Sequence, residues 1–135
     1  MSQEDRMALS KATVAAWLDA YVQSWQSHDP EAIGALFAVD ATYAYHPWDE
    51  PVRGREAIVA SWLEDPDAPD SWQAHYKPVA IDGNVAAATG QSRYFEPDGS
   101  LLREFYNCYV IRFDNDGRCT SFTEWYMEKP NPTGD

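Results

Sequence analysis

The sequence predicts an α+β fold, with helices in the first half of the chain and a sheet in the second half. Early apolar residues recur at i, i+3, i+4 and i+7, whereas later segments alternate apolar and polar residues. Asp-Gly turn signals at 82–83, 98–99 and 116–117 separate these later segments. A length of 135 residues predicts one domain around one core.

Two adjacent helices are predicted near the start of the chain. Ser10 is a suitable N-cap for the first, which ends at His28. Asp29 is a good N-cap for the second, and Pro30 suits its first helical position. The amphipathic pattern of the first helix places its apolar residues on one face. These residues are Val14, Trp17, Leu18, Tyr21, Val22 and Trp25.

The remaining elements are five strands and a third helix. A β-prone segment at 41–45 ends at His46-Pro47, because proline cannot donate to a strand ladder. The third helix is predicted over 55–63, and a loop with two prolines covers 65–70. Pro78 indicates an edge strand or a bulge. The other predicted strands are 72–81, 85–95, 101–113 and 118–127.

The last two strands carry an unusual face of aromatic and polar side chains. Buried polar groups need hydrogen-bond partners, so such a face is costly as plain core. It suits the wall of a pocket for a small hydrophobic or aromatic ligand. The face consists of Phe105, Asn107, Tyr109, Ile111, Phe113, Phe122, Glu124 and Tyr126.

Composition excludes several classes of function. A net charge of -12 argues against nucleic acid and anionic membranes as partners. His28, His46 and His75 lack metal-ligand spacing, and no phosphate loop or dinucleotide fingerprint is present, so neither metal nor cofactor is expected. Cys108 and Cys119 are predicted opposite Thr123 and Arg112, too far apart for a disulfide. Reduced thiols and the polar start MSQEDRMALSK predict a cytoplasmic protein.

Three segments occur in an order shared with a known superfamily. They are HDPEAIGALFAVDATY with HP after it, then GREAI, then FDNDGRCTSFTEWYME. Over 14–127 the chain resembles the nuclear transport factor 2-like superfamily, particularly its SnoaL-like branch. The resemblance implies a cone-like, strongly curved antiparallel or mixed sheet wrapped around three N-terminal helices. It also implies a single domain over 1–135, with loose termini at 1–9 and 129–135.

The resemblance also implies roles for four residues. Alignment with the ketosteroid isomerases of the superfamily places His46 at the position of the base Asp and Tyr21 at that of the oxyanion Tyr. The same alignment places Tyr109 at the position of the protonated Asp. Only Tyr21 keeps its residue type, so steroid isomerisation itself is not predicted. Glu124 is similar to the acid/base of polyketide cyclases.

The residues themselves support candidate roles for Glu124 and His46. Glu124 lies between Phe122 and Tyr126, and an aromatic setting raises the pKa of a carboxyl group. The alternative for Glu124 is a structural salt bridge with Arg93 or Arg112, or an outward orientation if the strand register slips by one residue. An imidazole exchanges protons near neutral pH, and His46 at a strand end would lie at a pocket rim or be an ordinary loop residue. The residues predicted to bind substrate are Trp25, Tyr45, Trp48, Trp62, Arg93, Asn107, Phe122 and Tyr126.

Two functional hypotheses remain open at this level. One is a cofactor-independent isomerase, cyclase or dehydratase that transfers a proton on a small apolar substrate. The alternative is a non-catalytic small-molecule-binding module. Epoxide hydrolysis is disfavoured because the strands offer Arg93 and Glu124 but no second acid. A homodimer is predicted through the outer sheet face, on which lie Tyr106, Cys108, Val110, Trp125 and Met127.

Overall fold

The computed structural model describes residues 9–64 and 71–130. The predicted loop at 65–70 and most of the predicted loose termini lie outside these residues. The three predicted helices are confirmed, with bounds close to the predicted ones. They are α1 (Lys11–Ser27), α2 (Pro30–Ala35) and α3 (Arg55–Glu64).

The ends of α1 and α2 follow the predicted caps. The Ser10 side chain accepts a hydrogen bond from the Thr13 backbone N–H at 3.1 Å, which satisfies one free donor of the first turn. His28 adopts left-handed backbone angles and closes α1. The Asp29 carboxylate accepts from the Glu31 N–H at 3.1 Å and starts α2 without a linker.

In the described part of the chain six strands form one curved, open, mixed sheet, and the predicted α+β class is confirmed. The spatial order is β2-β1-β6-β5-β4-β3, so β3 is an edge strand. Strand β1 runs parallel to β6, and every other neighbouring pair is antiparallel. The strands are β1 (Phe37–Ala44), β2 (Val52–Arg53), β3 (Trp72–Asp82), β4 (Val85–Phe95), β5 (Leu101–Phe113) and β6 (Cys119–Glu128).

Strand β1 begins earlier than predicted, and β2 is absent from the prediction. The Cys119 N–H donates to the Leu36 carbonyl at 2.8 Å, so the pairing of β1 with β6 already begins at the end of α2. The register of β1 against β6 changes between Phe37 and Thr42. Because of this irregularity, the first part of β1 lacks the regular alternation from which a strand is predicted. Two residues are too few for β2 to show any alternation.

The predicted registers of the two cysteines need correction. Cys108 lies opposite Trp125, not Thr123, and Cys119 lies opposite Phe113, not Arg112. A register irregularity between Arg112 and Phe113 shifts the pairing after the turn. Both thiols are free.

The helices pack on one face of the sheet, here called the inner face. Trp17 of α1 reaches this face, with its ring 5.6 Å from that of Phe113, and its indole N–H donates to the Leu36 carbonyl. Successive strand residues point to opposite sides, which makes the other side the outer face. The register pairs Tyr109 with Glu124 and Ile111 with Phe122, so the predicted shared face is the inner one.

The outer face leaves several large apolar side chains in contact with solvent. Trp125 is 44% exposed and Met127 is 76% exposed, and Tyr106 lies beside them. Within residues 9–64 and 71–130, no helix is long and apolar enough to cross a membrane.

Candidate functional site

A cavity of about 630 Å³ opens between the inner face and helices α1 and α3. Most of its lining residues are aromatic, which suits an apolar ligand. This space is called the inner cavity. Its lining residues are Tyr21, Trp25, Tyr43, Tyr45, Ser61, Trp62, Glu64, Tyr76, Ser92, Tyr94, Arg103, Phe105, Asn107, Glu124, Tyr126 and Glu128.

Glu124 is held in the inner cavity by a chain of hydrogen bonds across three strands. The Asn107 amide nitrogen donates to Glu124 Oε2 at 2.9 Å. The Ser92 hydroxyl donates to the amide oxygen of Asn107 at 3.0 Å, which fixes the orientation of that amide. One carboxylate oxygen is therefore anchored, and the other remains available to a ligand.

Burial raises the pKa of the Glu124 carboxyl to about 7, although the Asn107 hydrogen bond and the nearby His46 act in the opposite direction. No Lys or Arg of the described residues forms a salt bridge with Glu124. Arg93, the predicted alternative partner, lies 3.4 Å from Glu104 instead. Glu124 can therefore both accept and donate a proton near neutral pH.

Two tyrosine hydroxyls form a donor pair in the wall. Tyr21 Oη and Tyr43 Oη lie 2.7 Å apart. The Phe122 ring stacks on the Tyr43 ring at 4.5 Å and on the Tyr21 ring at 5.3 Å, which restricts both phenols. Burial, with the Glu124 charge as a smaller contribution, raises the pKa of each phenol well above its ordinary value. One hydroxyl hydrogen joins the pair, and the second can be donated to a ligand oxygen.

Tyr76 adds another hydroxyl to the inner cavity. Its side chain is 3% exposed, and its hydroxyl has no hydrogen-bond partner within the described part of the chain. Burial raises the pKa of this phenol to about 12, and the Tyr109 and Ser92 hydroxyls lie near enough to offset part of that effect. The ring fits because Gly90 lies opposite it, where a Cβ would collide with the Tyr76 ring.

His46 forms a separate hydrogen-bonded array with Asp49 and Tyr126. Its Nδ1 lies 2.8 Å from Asp49 Oδ2, and its Nε2 lies 3.0 Å from Tyr126 Oη. The imidazole also stacks on Trp48 at 4.8 Å. Neither His46 nor Trp48 lines the inner cavity; both line a depression of about 910 Å³ formed mainly by outer-face residues. Three residues, Asn107, Glu124 and Tyr126, line both spaces and connect them.

The structure brings seven of the twelve predicted site residues together around the inner cavity. They come from α1, α3, β5, β6 and the end of β1, so the site is assembled across the whole domain. The seven are Tyr21, Trp25, Tyr45, Trp62, Asn107, Glu124 and Tyr126.

The structure corrects the placement of the other five predicted residues, beginning with Arg93. Ser92 lines the inner cavity, so alternation along β4 directs Arg93 to the outer face, where it pairs with Glu104. His46 lies after the end of β1, where its contacts with Asp49 and Tyr126 hold it outside the lining of the inner cavity, and the Trp48 ring stacks on it there.

Tyr109 and Phe122 belong to the core behind the cavity wall. Each is 1% exposed, and their ring centroids lie 4.7 Å apart. The Tyr109 ring also lies 4.8 Å from that of Tyr76. Tyr109 therefore supports the cavity wall and does not reach the space itself.

Several lining residues are absent from the predicted site. Tyr43 lies two residues before Tyr45 on β1, so alternation alone could have included it. Ser92 could have been found from alternation along β4, but Tyr76 could not be placed from the Asp82-Gly83 turn, because a register irregularity between Pro78 and Ala80 lies between them. Arg103 at the cavity mouth has no distinguishing signal, because its orientation depends on the ion pair with Glu128.

Comparisons with known proteins agree with this architecture. The family model described as SnoaL-like domain matches residues 18–122. A search of curated proteins found no match. A solved structure from Kribbella flavida DSM 17836, described provisionally as a ketosteroid isomerase, is 20% identical and covers 90% of this chain and 83% of its own, with a TM-score of 0.67.

A second solved structure is described as an epoxide hydrolase of M. tuberculosis that is LEH-like. It is 16% identical and covers 87% of this chain and 84% of its own, with a TM-score of 0.61. At these identities, both comparisons establish a shared fold.

Proposed function

The chain belongs to the SnoaL-like domain family, and we propose that it binds a small, mainly apolar ligand in the inner cavity and transfers a proton on it without a cofactor. One observation carries the proposal. A largely buried carboxyl group with a pKa of about 7 faces an aromatic cavity that also contains neutral hydroxyl donors. This combination is the usual requirement for general acid–base chemistry at neutral pH.

The proposed chemistry begins at a carbon next to a ligand carbonyl. Ionised Glu124 removes the proton, and the electron pair moves to the carbonyl oxygen to form an enolate. The Tyr21–Tyr43 pair donates its free hydroxyl hydrogen to that oxygen. In a ketone with a β,γ double bond the enolate is conjugated, and Glu124 returns the proton to the γ carbon, which gives isomerisation. In a β-hydroxy ketone the protonated Glu124 gives its proton to the hydroxyl group, which leaves as water, and this gives dehydration.

His46 acts in this proposal as a positioning residue through Tyr126. Asp49 can only accept a hydrogen bond when ionised, so it selects the tautomer of His46 with the proton on Nδ1. Nε2 then accepts from the Tyr126 hydroxyl, and Tyr126 lines both the inner cavity and the outer-face depression. Tyr126 would orient a ligand at the mouth while Glu124 performs the proton transfer.

Proton–deuterium exchange of bicyclic ketones such as 2-tetralone in D₂O, followed by ¹H NMR, tests the proposal. The wild type should exchange the protons next to the carbonyl, and Glu124→Gln should lower the rate on the order of a hundredfold or more. Tyr126→Phe should lower it on the order of tenfold. Glu96→Gln makes the same chemical change in an exposed turn and should leave the rate unchanged.

Ketone binding is measured in parallel through the fluorescence of the cavity tryptophans Trp25 and Trp62. Binding retained in Glu124→Gln with exchange lost supports catalysis by the carboxyl group. Equal exchange in wild type and Glu124→Gln would exclude Glu124 as the base. A ketone that binds without any exchange would leave the non-catalytic binding module as the function.

The outer face is proposed as the interface of a homodimer. Its exposed apolar side chains include Tyr106, Trp125 and Met127, which are unusual on a free surface when clustered. A sheet face shared by two copies would bury them with two-fold symmetry. The free thiols of Cys108 and Cys119 support a cytoplasmic location, and the net charge of -12 argues against nucleic acid as a partner.

A further inference from the structure

The charges around the inner cavity are unbalanced. Its lining contains three carboxylates, on Glu64, Glu124 and Glu128, and one guanidinium, on Arg103. Arg103 donates to both carboxylate oxygens of Glu128, at 3.1 and 2.9 Å, and is thereby neutralised. Within the described residues, neither Glu64 nor Glu124 has a Lys or Arg partner. His46, which influences Glu124 at longer range, is itself paired with Asp49.

The walls beside these two carboxylates are aromatic. Trp25 and Trp62 lie 6.5 Å apart, and the Tyr45 hydroxyl is held 2.6 Å from the Ser61 hydroxyl on α3. The pKa of Tyr45 is raised by burial, and then by the charges of Glu124 and Glu64 despite the Ser61 hydrogen bond. The Tyr45 phenol is therefore influenced by both carboxylates. Faces of aromatic rings attract cations, most strongly for tryptophan.

The Tyr76 hydroxyl is an independent sign of a ligand. It is buried and lines the cavity, and it forms no hydrogen bond with a described residue, although the Tyr109 and Ser92 hydroxyls lie nearby. An unpaired buried hydroxyl is unfavourable, so a ligand that brings an oxygen acceptor would relieve it. The cavity therefore offers a hydrogen-bond donor in its interior and uncompensated negative charge.

We infer that the ligand of the inner cavity is a small cation with an apolar body, either a protonated amine or a quaternary ammonium, and that it also carries an acceptor oxygen. The positive group would lie near Glu64, Trp25 and Trp62, and the oxygen would accept from Tyr76. The net charge of -12 would favour the approach of such a cation. This inference rests on the proposed function only in taking the inner cavity as the ligand site.

Three water-soluble probes of matched shape separate charge from shape. Choline carries a positive charge, 3,3-dimethylbutan-1-ol is its neutral carbon analogue, and 3,3-dimethylbutanoate is negative. Binding to the full chain is measured by NMR shifts of the tryptophan indole N–H groups. We expect choline to bind on the order of tenfold more tightly than the alcohol, and the butanoate to bind most weakly.

Glu64→Gln and Glu56→Gln form a matched pair of variants on α3. Both residues are exposed, but Glu56 lies away from the inner cavity. Glu64→Gln should reduce the preference for choline over the alcohol several-fold, and Glu56→Gln should leave it unchanged. An unchanged preference in Glu64→Gln would overturn the assigned position of the cation.

The outcomes separate this inference from the proposed function. If the wild type binds the alcohol as tightly as choline, or more tightly, the inference that the ligand is positively charged is wrong. The proposed proton transfer in the inner cavity is not affected by that result. Failure of all three probes to shift the indole signals of Trp25 and Trp62 overturns this inference, and the proton transfer then stands or falls by ketone exchange alone. Loss of ketone exchange with retained choline preference overturns only the proton transfer.

Discussion

Glu124 determines the electrostatic character of the inner cavity, because its charge influences the phenols around it. Glu124 contributes to the raised pKa of Tyr21, Tyr43 and Tyr76, after the larger effect of burial. These phenols therefore stay neutral across the physiological range and remain hydrogen-bond donors. One acidic residue can thus be the base while its neighbours serve as electrophilic groups.

The raised pKa of Glu124 predicts a pH-dependent penalty on stability. The unfolded chain releases this proton near pH 4.5, whereas the folded protein holds it to about pH 7. Between these values the folded state binds more protons, so rising pH lowers the free energy of unfolding. Glu124→Gln removes the penalty and should be more stable than wild type above pH 7, by on the order of 3 kcal/mol, with the advantage fading toward pH 4.5.

Urea unfolding of both proteins across this pH range measures the difference. Glu128→Gln provides a control of opposite sign, because hydrogen bonds from Arg103 lower the pKa of that exposed carboxyl. The stability that Glu128 contributes is present above its unfolded pKa and is lost as pH falls. A difference between wild type and Glu124→Gln that does not vary with pH would show that Glu124 is fully hydrated.

The sequence allows Glu124 and Asn107 to be placed but not the rest of the site. Alternation along β5 and β6 is enough to predict that both residues face the helices. The same rule, applied at Arg93, would have directed it outward, but it does not extend to His46, which lies after the end of β1. Chemical type suggested Arg93 as a ligand, whereas the orientation of a strand residue depends on parity, not on its charge.

Among the elements, the hairpins follow most closely from the sequence. Gly83, Gly99 and Gly117 adopt positive φ at three of the predicted turns, and β4 and β5 match their predicted bounds. The parallel pairing of β1 with β6 could not be predicted from local patterns. It joins the two ends of the domain, and only tertiary packing determines the register.

Gly90 of β4 lies opposite Tyr76 of β3 and leaves no room for a side chain. A Cβ at this position would collide with the His75 carbonyl oxygen and the Tyr76 ring, so the edge strand would have to move. Gly90→Ala should lower the free energy of unfolding by at least about 2 kcal/mol, measured by urea denaturation. It should also weaken ketone binding, because Tyr76 lines the inner cavity.

Gly34→Ala is the matched control for this change. Its Cβ would lie 3.6 Å from the Arg55 side chain, an ordinary contact, in the last turn of α2. Alanine should therefore stabilise the protein by about 0.5–1 kcal/mol through helix propensity. Equal stability of Gly90→Ala and wild type would contradict the close approach of β3 to β4 at Gly90.

The curved sheet has two faces with different surroundings. The inner face is covered by the helices and encloses the cavity, whereas the outer face exposes Trp125 and Met127. Tyr126 and the His46 array lie where the two spaces meet. A partner on the outer face would therefore also limit solvent access to His46, which links assembly to the proposed site.

The proposed homodimer can be tested by placing a charge on the outer face. Trp125 lies in the outer-face depression with its side chain 44% exposed, so a charge introduced there would have to be buried at the interface. Sedimentation equilibrium should show a dimer for the wild type, and Trp125→Lys should weaken dimerisation on the order of a hundredfold. Val39→Lys introduces the same charge at an exposed apolar residue of β1 outside the depression and should remain dimeric. Circular dichroism identifies any variant that is unfolded. A monomeric wild type would exclude the outer face as the interface, and so would equal dissociation of the two variants.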